Sequence, residues 1–195
     1  MLKGPSLAKA LRARVAISVA AVWYRSVDGA VFRQFYSATN PTRPLWGLGA
    51  PKSGARFTPR NGAASLYVAE DVETANREGL QVTLGTPVMP PVGMTRAIYT
   101  VQVQLSDVID LRDKATCALL GTNGKELAGA WRYRKDRKTP PTQRLGRLAA
   151  KLGVEGLIFQ STKGLGVCLV VFTANLRSSS FIEVSDGVEV LERMP

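Results

Sequence analysis

The stretch GARFTPRNGAASLYVAEDVETANRE, residues 54–78, organises the reading of the whole chain. Ala55 to Thr58 reads as a short strand that sends Arg56 and Phe57 to opposite faces. Pro59 cannot donate to a ladder, and Arg60-Asn61-Gly62 predicts a turn in which Asn-Gly supplies positive φ. Ser65-Leu66-Tyr67-Val68-Ala69 is a short apolar run between turn signals, hence a buried strand. Asp71 stands at a helix N-cap position. The helix predicted after it runs from Val72 to about Glu78, with Gly79 as a left-handed terminator. Val72 and Ala75 share one face, and Glu78 follows Ala75 at i+3, so its carboxylate sits at the edge of the buried stripe. A carboxylate there needs a partner or a task, because a bare buried charge is expensive. The commoner outcome is an ion pair with an arginine; the sharper one is a carboxylate that meets a cationic substrate centre.

Bulk properties narrow the chemistry. The 195 residues suffice for one domain with a sizeable core, and 45% hydrophobic with 21% charged residues is the balance of a globular protein. A net charge of +11 favours an acidic or phosphate-rich partner without choosing among nucleic acid, small anion and acidic protein. The chain has no histidine, which removes Ser-His and Cys-His nucleophiles and histidine-based metal sites. Acid–base work falls to carboxylates, tyrosines and lysines. Cys117 and Cys168 are far apart with no CxxC, as in a reduced intracellular protein, and a cytoplasmic location is expected. Val15 to Val22 follows Lys9, Arg12 and Arg14 and so mimics a signal peptide, but no small-residue cleavage site follows it. A leading helix (about Ser6 to Arg14) within residues 1–18 is expected instead, and the remaining domain spans residues 19–195. No apolar stretch approaches membrane-spanning length.

Taken in order, Val19 to Ser26 reads as a strand that ends in Val22-Trp23-Tyr24-Arg25. Residues 32–59 are rich in Gly and Pro and read as a functional loop, with Trp46 as a packing anchor or ligand border. Residues 83–94 are a connection. Tyr99 to Leu105 alternates strictly and is a strand, and Val108 to Leu111 is a further short one. Residues 121–141 look least ordered; the basic run Arg132 to Lys138 beside Trp131 would suit a nucleic-acid backbone, though a solvated loop is the commoner outcome. Leu145, Leu148, Ala149 and Leu152 recur at i, i+3, i+4 and i+7, a helix ended by Gly153. Strands Gly156 to Ser161 and Cys168 to Phe172 follow. Phe181 to Leu191 reads as a hairpin about Asp186-Gly187. The expected fold class is α+β, a single domain with a mixed or antiparallel sheet flanked by helices.

Gly54-Ala55-Arg56-Phe57-Thr58, Gly62, Leu66-Tyr67-Val68-Ala69 and Ala75-Asn76-Arg77-Glu78 together resemble the RES domain family, named for its Arg, Glu and Ser. The family pattern is Gly-Gly-Arg-Phe/Trp-Asn, a Gly turn, a Leu/Val-Tyr-Ala strand and an Ala-x-x-Glu helix. Ala55 and Thr58 depart from its Gly and Asn. The resemblance covers roughly Arg25 to Asn175. It matches Tyr24-Arg25 to the family's early hydrophobic-Arg pair. It also places Ser161 at the strand-end serine, where Gln160 replaces the usual Pro, and Asn175 at the following Asn.

The resemblance implies an ADP-ribosyltransferase-like fold and breakdown of NAD as substrate, with phosphate or water as acceptor. It further implies the toxin role of a toxin–antitoxin pair, restrained by an antitoxin with a helix-turn-helix domain. Breaking the nicotinamide–ribose bond expels a neutral leaving group and leaves positive charge on the ribose, which a fixed carboxylate stabilises. On this reading Glu78, Arg25 and Arg56 are the catalytic residues, the arginines meeting the pyrophosphate with forked donors. Tyr24, Tyr67, Ser161 and Asn175 are expected to bind substrate, with Tyr67 stacked on the nicotinamide ring. No metal or cofactor is expected, and without a GxGxxG the NAD is consumed and not held as a redox carrier. Transfer of ADP-ribose to a protein, and a non-enzymatic basic nucleic-acid-binding module, are the alternatives. A homo-oligomer is compatible with either.

Overall fold

The computed structural model describes residues 1–37, 39–84, 95–132, 139–163 and 166–194. Helix α1 (Gly4–Arg12) opens the chain and buries Leu7, Ala10 and Leu11. Strand β1 (Ile17–Asp28) leads into α2 (Gly29–Phe35), which Asp28 caps by accepting from the N–H groups of Ala30 and Val31. A 3₁₀ turn (Arg43–Leu45) and the short α3 (Gly49–Ser53) precede β2 (Ser65–Ala69) and α4 (Val72–Leu84). Strand β3 (Arg96–Asp110) is followed by α5 (Lys114–Leu119), α6 (Gly124–Ala128) and α7 (Pro141–Lys151). Strands β4 (Gly156–Gln160), β5 (Val167–Phe172) and β6 (Phe181–Val184) and helix α8 (Gly187–Arg193) complete it.

The strands form one mixed sheet in the order β1-β2-β5-β4-β3-β6, and β1 also pairs with β3. The first five strands therefore close into a ring. Long β3 makes this closure: it runs antiparallel to β1 along nearly its whole length, parallel to β4 over Val108–Asp110, and antiparallel to β6. The seam is thin elsewhere, because β1 and β2 meet only at Tyr24 and Ala69 before they splay apart.

Two cores line the sheet. Leu157, Phe159, Cys168, Val170 and Phe172 alternate onto one face with Leu7, Leu11 and Leu145 from the helices. Tyr99, Val101, Val103 and Leu105 of β3 gather with Leu66, Val68, Leu169 and Val171, and α2 and α8 add Phe32 and Val190. Among the described residues, no helix is long and apolar enough to cross a membrane.

Several expectations change. Residues 55–58 make a tight turn, not a strand: Ala55 and Thr58 exchange two backbone hydrogen bonds, Ala55 N–H to Thr58 O at 2.7 Å and Thr58 N–H to Ala55 O at 3.2 Å. The next turn keeps the positive φ expected of Asn-Gly, carried by Asn61 at 58°. Gly79 does not end its helix, which runs on to Leu84. A Cβ there would lie 2.2 Å from Arg96 Nη2 and 2.6 Å from the Ser26 carbonyl, so glycine serves the close approach of α4 to β1. The two strands expected at 99–105 and 108–111 are one continuous element. Residues 32–59 carry helical turns, and Trp46 is largely exposed beneath Arg43. The expected terminal hairpin is a strand followed by helix α8; Gly187 lets Tyr36 approach, since a Cβ would meet its ring at 2.2 Å. Most of the basic run (133–138), the 85–94 connection and Gly164 lie outside the described residues.

Candidate functional site

A cleft of about 330 Å³ opens where β1 and β2 diverge. Tyr24, Arg25, Arg56, Tyr67 and Glu78 all line it, so five residues from three separate elements and a turn converge.

Glu78 reaches the cleft from α4, whose start is set by Asp71. The Asp71 carboxylate accepts from the Thr74 N–H at 2.7 Å and from the Thr74 hydroxyl at 2.8 Å. These bonds hold its carboxyl below the usual range. Among the described residues, the half-buried Glu78 does not end in the ion pair that is the commoner outcome for such a residue. Its Oε1 accepts from the Ser161 hydroxyl at 2.7 Å, and Ser161 Oγ accepts in turn from the Lys163 N–H at 3.0 Å. Glu78 Oε2 makes no hydrogen bond among the described residues. Ser161 is 6% exposed at the end of β4, so its hydroxyl orients the carboxylate from behind. Burial pushes the adjacent Cys168 thiol well up, and the Glu78 charge pushes it further, so it stays a thiol. Cys117 is also free and buried.

Arg25 extends from β1 and donates from Nη1 to the Tyr67 carbonyl at 2.5 Å. Its buried Nε has no hydrogen-bond partner among the described residues. Arg56 is more heavily engaged. Its Nη1 donates to the carbonyls of Leu127 at 2.7 Å and Gly129 at 3.1 Å, and its Nη2 to the Thr162 hydroxyl at 3.0 Å. Burial lowers its pKa, with Glu78 and Tyr67 opposing. Arg56 thus ties the segment after α6 to the end of β4, as well as lining the cleft.

Tyr67 holds that turn in place. Its hydroxyl accepts from the Phe57 N–H at 3.0 Å and pairs with the Thr58 hydroxyl at 2.9 Å. Thr58, where the family pattern has Asn, is 1% exposed and spends its side chain on this bond. Burial drives the Tyr67 phenol far above its usual pKa, so it is neutral. Its ring packs edge-on against Phe159. Helix α7 backs the turn, with Gln143 Nε2 donating to the Ala55 carbonyl at 2.9 Å.

Asn175 is elsewhere. Its Nδ2 donates to the carbonyls of Ala150 and Val154, both at 2.8 Å, which closes the C-terminal end of α7. The structure gives it a capping position and does not bring it to the cleft. Sequence reasoning also missed residues that do line the cleft: Ser26, Asp28, Arg96, Trp131 and Arg132. Arg96 donates from Nε and Nη2 to the Ser26 hydroxyl at 3.1 and 2.9 Å. The pairing of Arg96 with Asp28 across β1 and β3 is the cause, and no local pattern encodes it. A second cavity of about 890 Å³ lies beyond Ser161 and Thr162 and shares the Phe159 wall. Among the described residues, no cluster of Cys, Asp and Glu could hold a metal ion.

No curated protein matches the chain. Among solved structures, a chain from the M. tuberculosis MbcT–MbcA toxin–antitoxin complex is similar, with a TM-score of 0.66 over 97% of both chains at 18% identity. That likeness speaks to the fold. The model of the RES domain family matches residues 30–189, spanning the Arg56 turn, the Glu78 helix and Ser161, and the chain belongs to that family.

Proposed function

We propose that the cleft takes NAD and breaks its nicotinamide–ribose bond, with phosphate ahead of water as the acceptor, and that the protein is the toxin of a toxin–antitoxin pair. The observation that carries this reading is the Glu78 carboxylate, fixed through one oxygen by Ser161 at 2.7 Å while it lines the same cleft as Arg25 and Arg56. As nicotinamide leaves, positive charge grows on the ribose; a carboxylate already oriented stabilises it without reorganising. Oε2 is the oxygen available to a ribose hydroxyl or to the incoming nucleophile. Arg25 lines the same cleft and is steadied by its bond to the Tyr67 carbonyl. A guanidinium's forked donors suit a pyrophosphate.

Tyr67 has a smaller chemical part than stacking alone would give it. Its hydroxyl is committed to the Arg56 turn, so it positions Arg56 while it lines the cleft. Ser161 likewise acts through Glu78. The family and the toxin–antitoxin relative support the biological role, in which an antitoxin covers the cleft. The test is nicotinamide release from NAD with and without inorganic phosphate. ADP-ribose 1″-phosphate forms if phosphate is the acceptor, and ADP-ribose if water is. Glu78→Gln should abolish release with the fold intact; full turnover by that variant removes the proposal.

A further inference from the structure

Trp131 and Arg132 line the cleft together, although nothing in the RES motif points to them. The Arg132 guanidinium lies over the Trp131 indole, 4.7 Å from the ring centroid. The indole edge comes within 3.8 Å of the Cβ position at Gly54, two residues before Arg56. Arg56 also tethers this segment directly, through the Leu127 and Gly129 carbonyls. Arg56 in turn lies close enough to Glu78 for their charges to interact. The acid, the cation and the aromatic face thus line one cleft, with Arg56 linked to both of the others.

We infer that Trp131, with Arg132 stacked on it, is a platform for the adenine base of the dinucleotide, and that it sets preference for NAD over nicotinamide mononucleotide. This rests on the function proposed above. The groups in the cleft match the groups of the ligand: the ribose that gains charge suits Glu78, the pyrophosphate suits the arginines, and the distal base suits the indole. A purine has a flat π-face that stacks on an indole and on a guanidinium plane alike. Trp131 is half-buried, so part of its surface stays open to a ligand. Nicotinamide mononucleotide keeps the scissile bond and lacks the adenine half, which separates the two ends of the cleft in one experiment.

The experiment measures binding of NAD and of nicotinamide mononucleotide to the full chain carrying Glu78→Gln, which prevents turnover. Trp131→Leu keeps apolar bulk against Gly54 and removes the π-face; Trp131→Phe keeps a π-face. For Trp131→Leu the NAD dissociation constant should rise about 10- to 100-fold, as base–aromatic stacking predicts, and that of the mononucleotide less than about threefold. Trp131→Phe should recover most of the NAD affinity. Equal loss for both ligands, or no loss for either, overturns the adenine platform and leaves the NAD reading standing. Failure of the Glu78→Gln protein with an intact Trp131 to bind NAD at all overturns both.

Discussion

Gly146→Ala tests the coupling between α7 and the Arg56 turn. Gly146 is an interior helix residue, so propensity alone favours the change by about 1 kcal/mol. The structure opposes it. A Cβ at position 146 would stand 1.9 Å from the Phe57 carbonyl oxygen, 2.7 Å from its carbon and 2.8 Å from its Cβ. Ordinary C···O contacts begin near ~3.3 Å, so helix and turn must separate by over ~1 Å. The obstacle is backbone, and that backbone is pinned by Tyr67 and by Gln143. Overpacking of this kind costs about 3 kcal/mol or slightly more, which leaves a net loss of about 2 kcal/mol. For a chain of this size that lowers Tm by about 4–8 °C. The turn carries Arg56, and a displacement of about 1 Å at a positioned group costs up to ~100-fold in kcat/KM. Thermal denaturation and nicotinamide release are the two assays. Gly124→Ala is the control, since nothing lies within 4 Å of its Cβ position, and its Tm should change by less than about 2 °C. An unchanged or raised Tm for Gly146→Ala would refute the close-packing argument, and full activity with a lowered Tm would refute the link to Arg56.

Tyr67→Phe leaves the buried Phe57 N–H without its acceptor, which should cost about 1–3 kcal/mol, readable in chemical denaturation, and should depress activity through Arg56. Ser161→Ala removes the hydroxyl behind Glu78 and should lower kcat by roughly 10- to 100-fold with KM for NAD little changed; a purely raised KM would show that Ser161 binds substrate directly. Acid sensitivity should trace to Glu155, which is fully buried. Burial raises its pKa, but the N–H groups of Arg177, Ser106 and Asp107 that donate to it outweigh this and hold it at about 2, against 4.5 for a free glutamate. A depressed carboxylate stabilises the fold above the unfolded pKa, so this contribution is complete above pH 4.5 and is lost as pH falls towards 2. Glu155→Gln should flatten the stability profile in that window; parallel acid-unfolding curves for the two proteins would contradict the assignment.

Local rules reached the parts of the site that are local. The Asp71 cap and the spacing from Ala75 to Glu78 oriented the carboxylate correctly, because a helix stripe is written in consecutive residues. The alternating strands emerged for the same reason. What failed were features made by distant contacts. Gly79 resembles a terminator, yet it answers to Arg96 and Ser26 on neighbouring strands. Asp186-Gly187 resembles a hairpin turn, yet Gly187 answers to the Tyr36 ring, and a short Val-Glu-Val-Leu run does not by itself separate helix from strand. Asn175 had the right sequence neighbourhood, yet the carbonyls at the end of α7 claim its side chain. Trp131 and Arg132 carried no periodicity, and a distant residue, Arg56, holds the carbonyls just before them at the cleft.

The ring of strands has a bearing on when the protein can act. Glu78 and both arginines leave the ribosome early, but Phe159, Ser161 and Cys168 come from the stretch that joins β2 to β3 through β5 and β4. A growing polypeptide that ends before Ser161 has its acid without the hydroxyl behind it, and one that ends before Cys168 lacks part of the cleft wall. Any chemistry that needs Glu78 braced by Ser161 therefore waits until β4 has been made and has found its place in the ring.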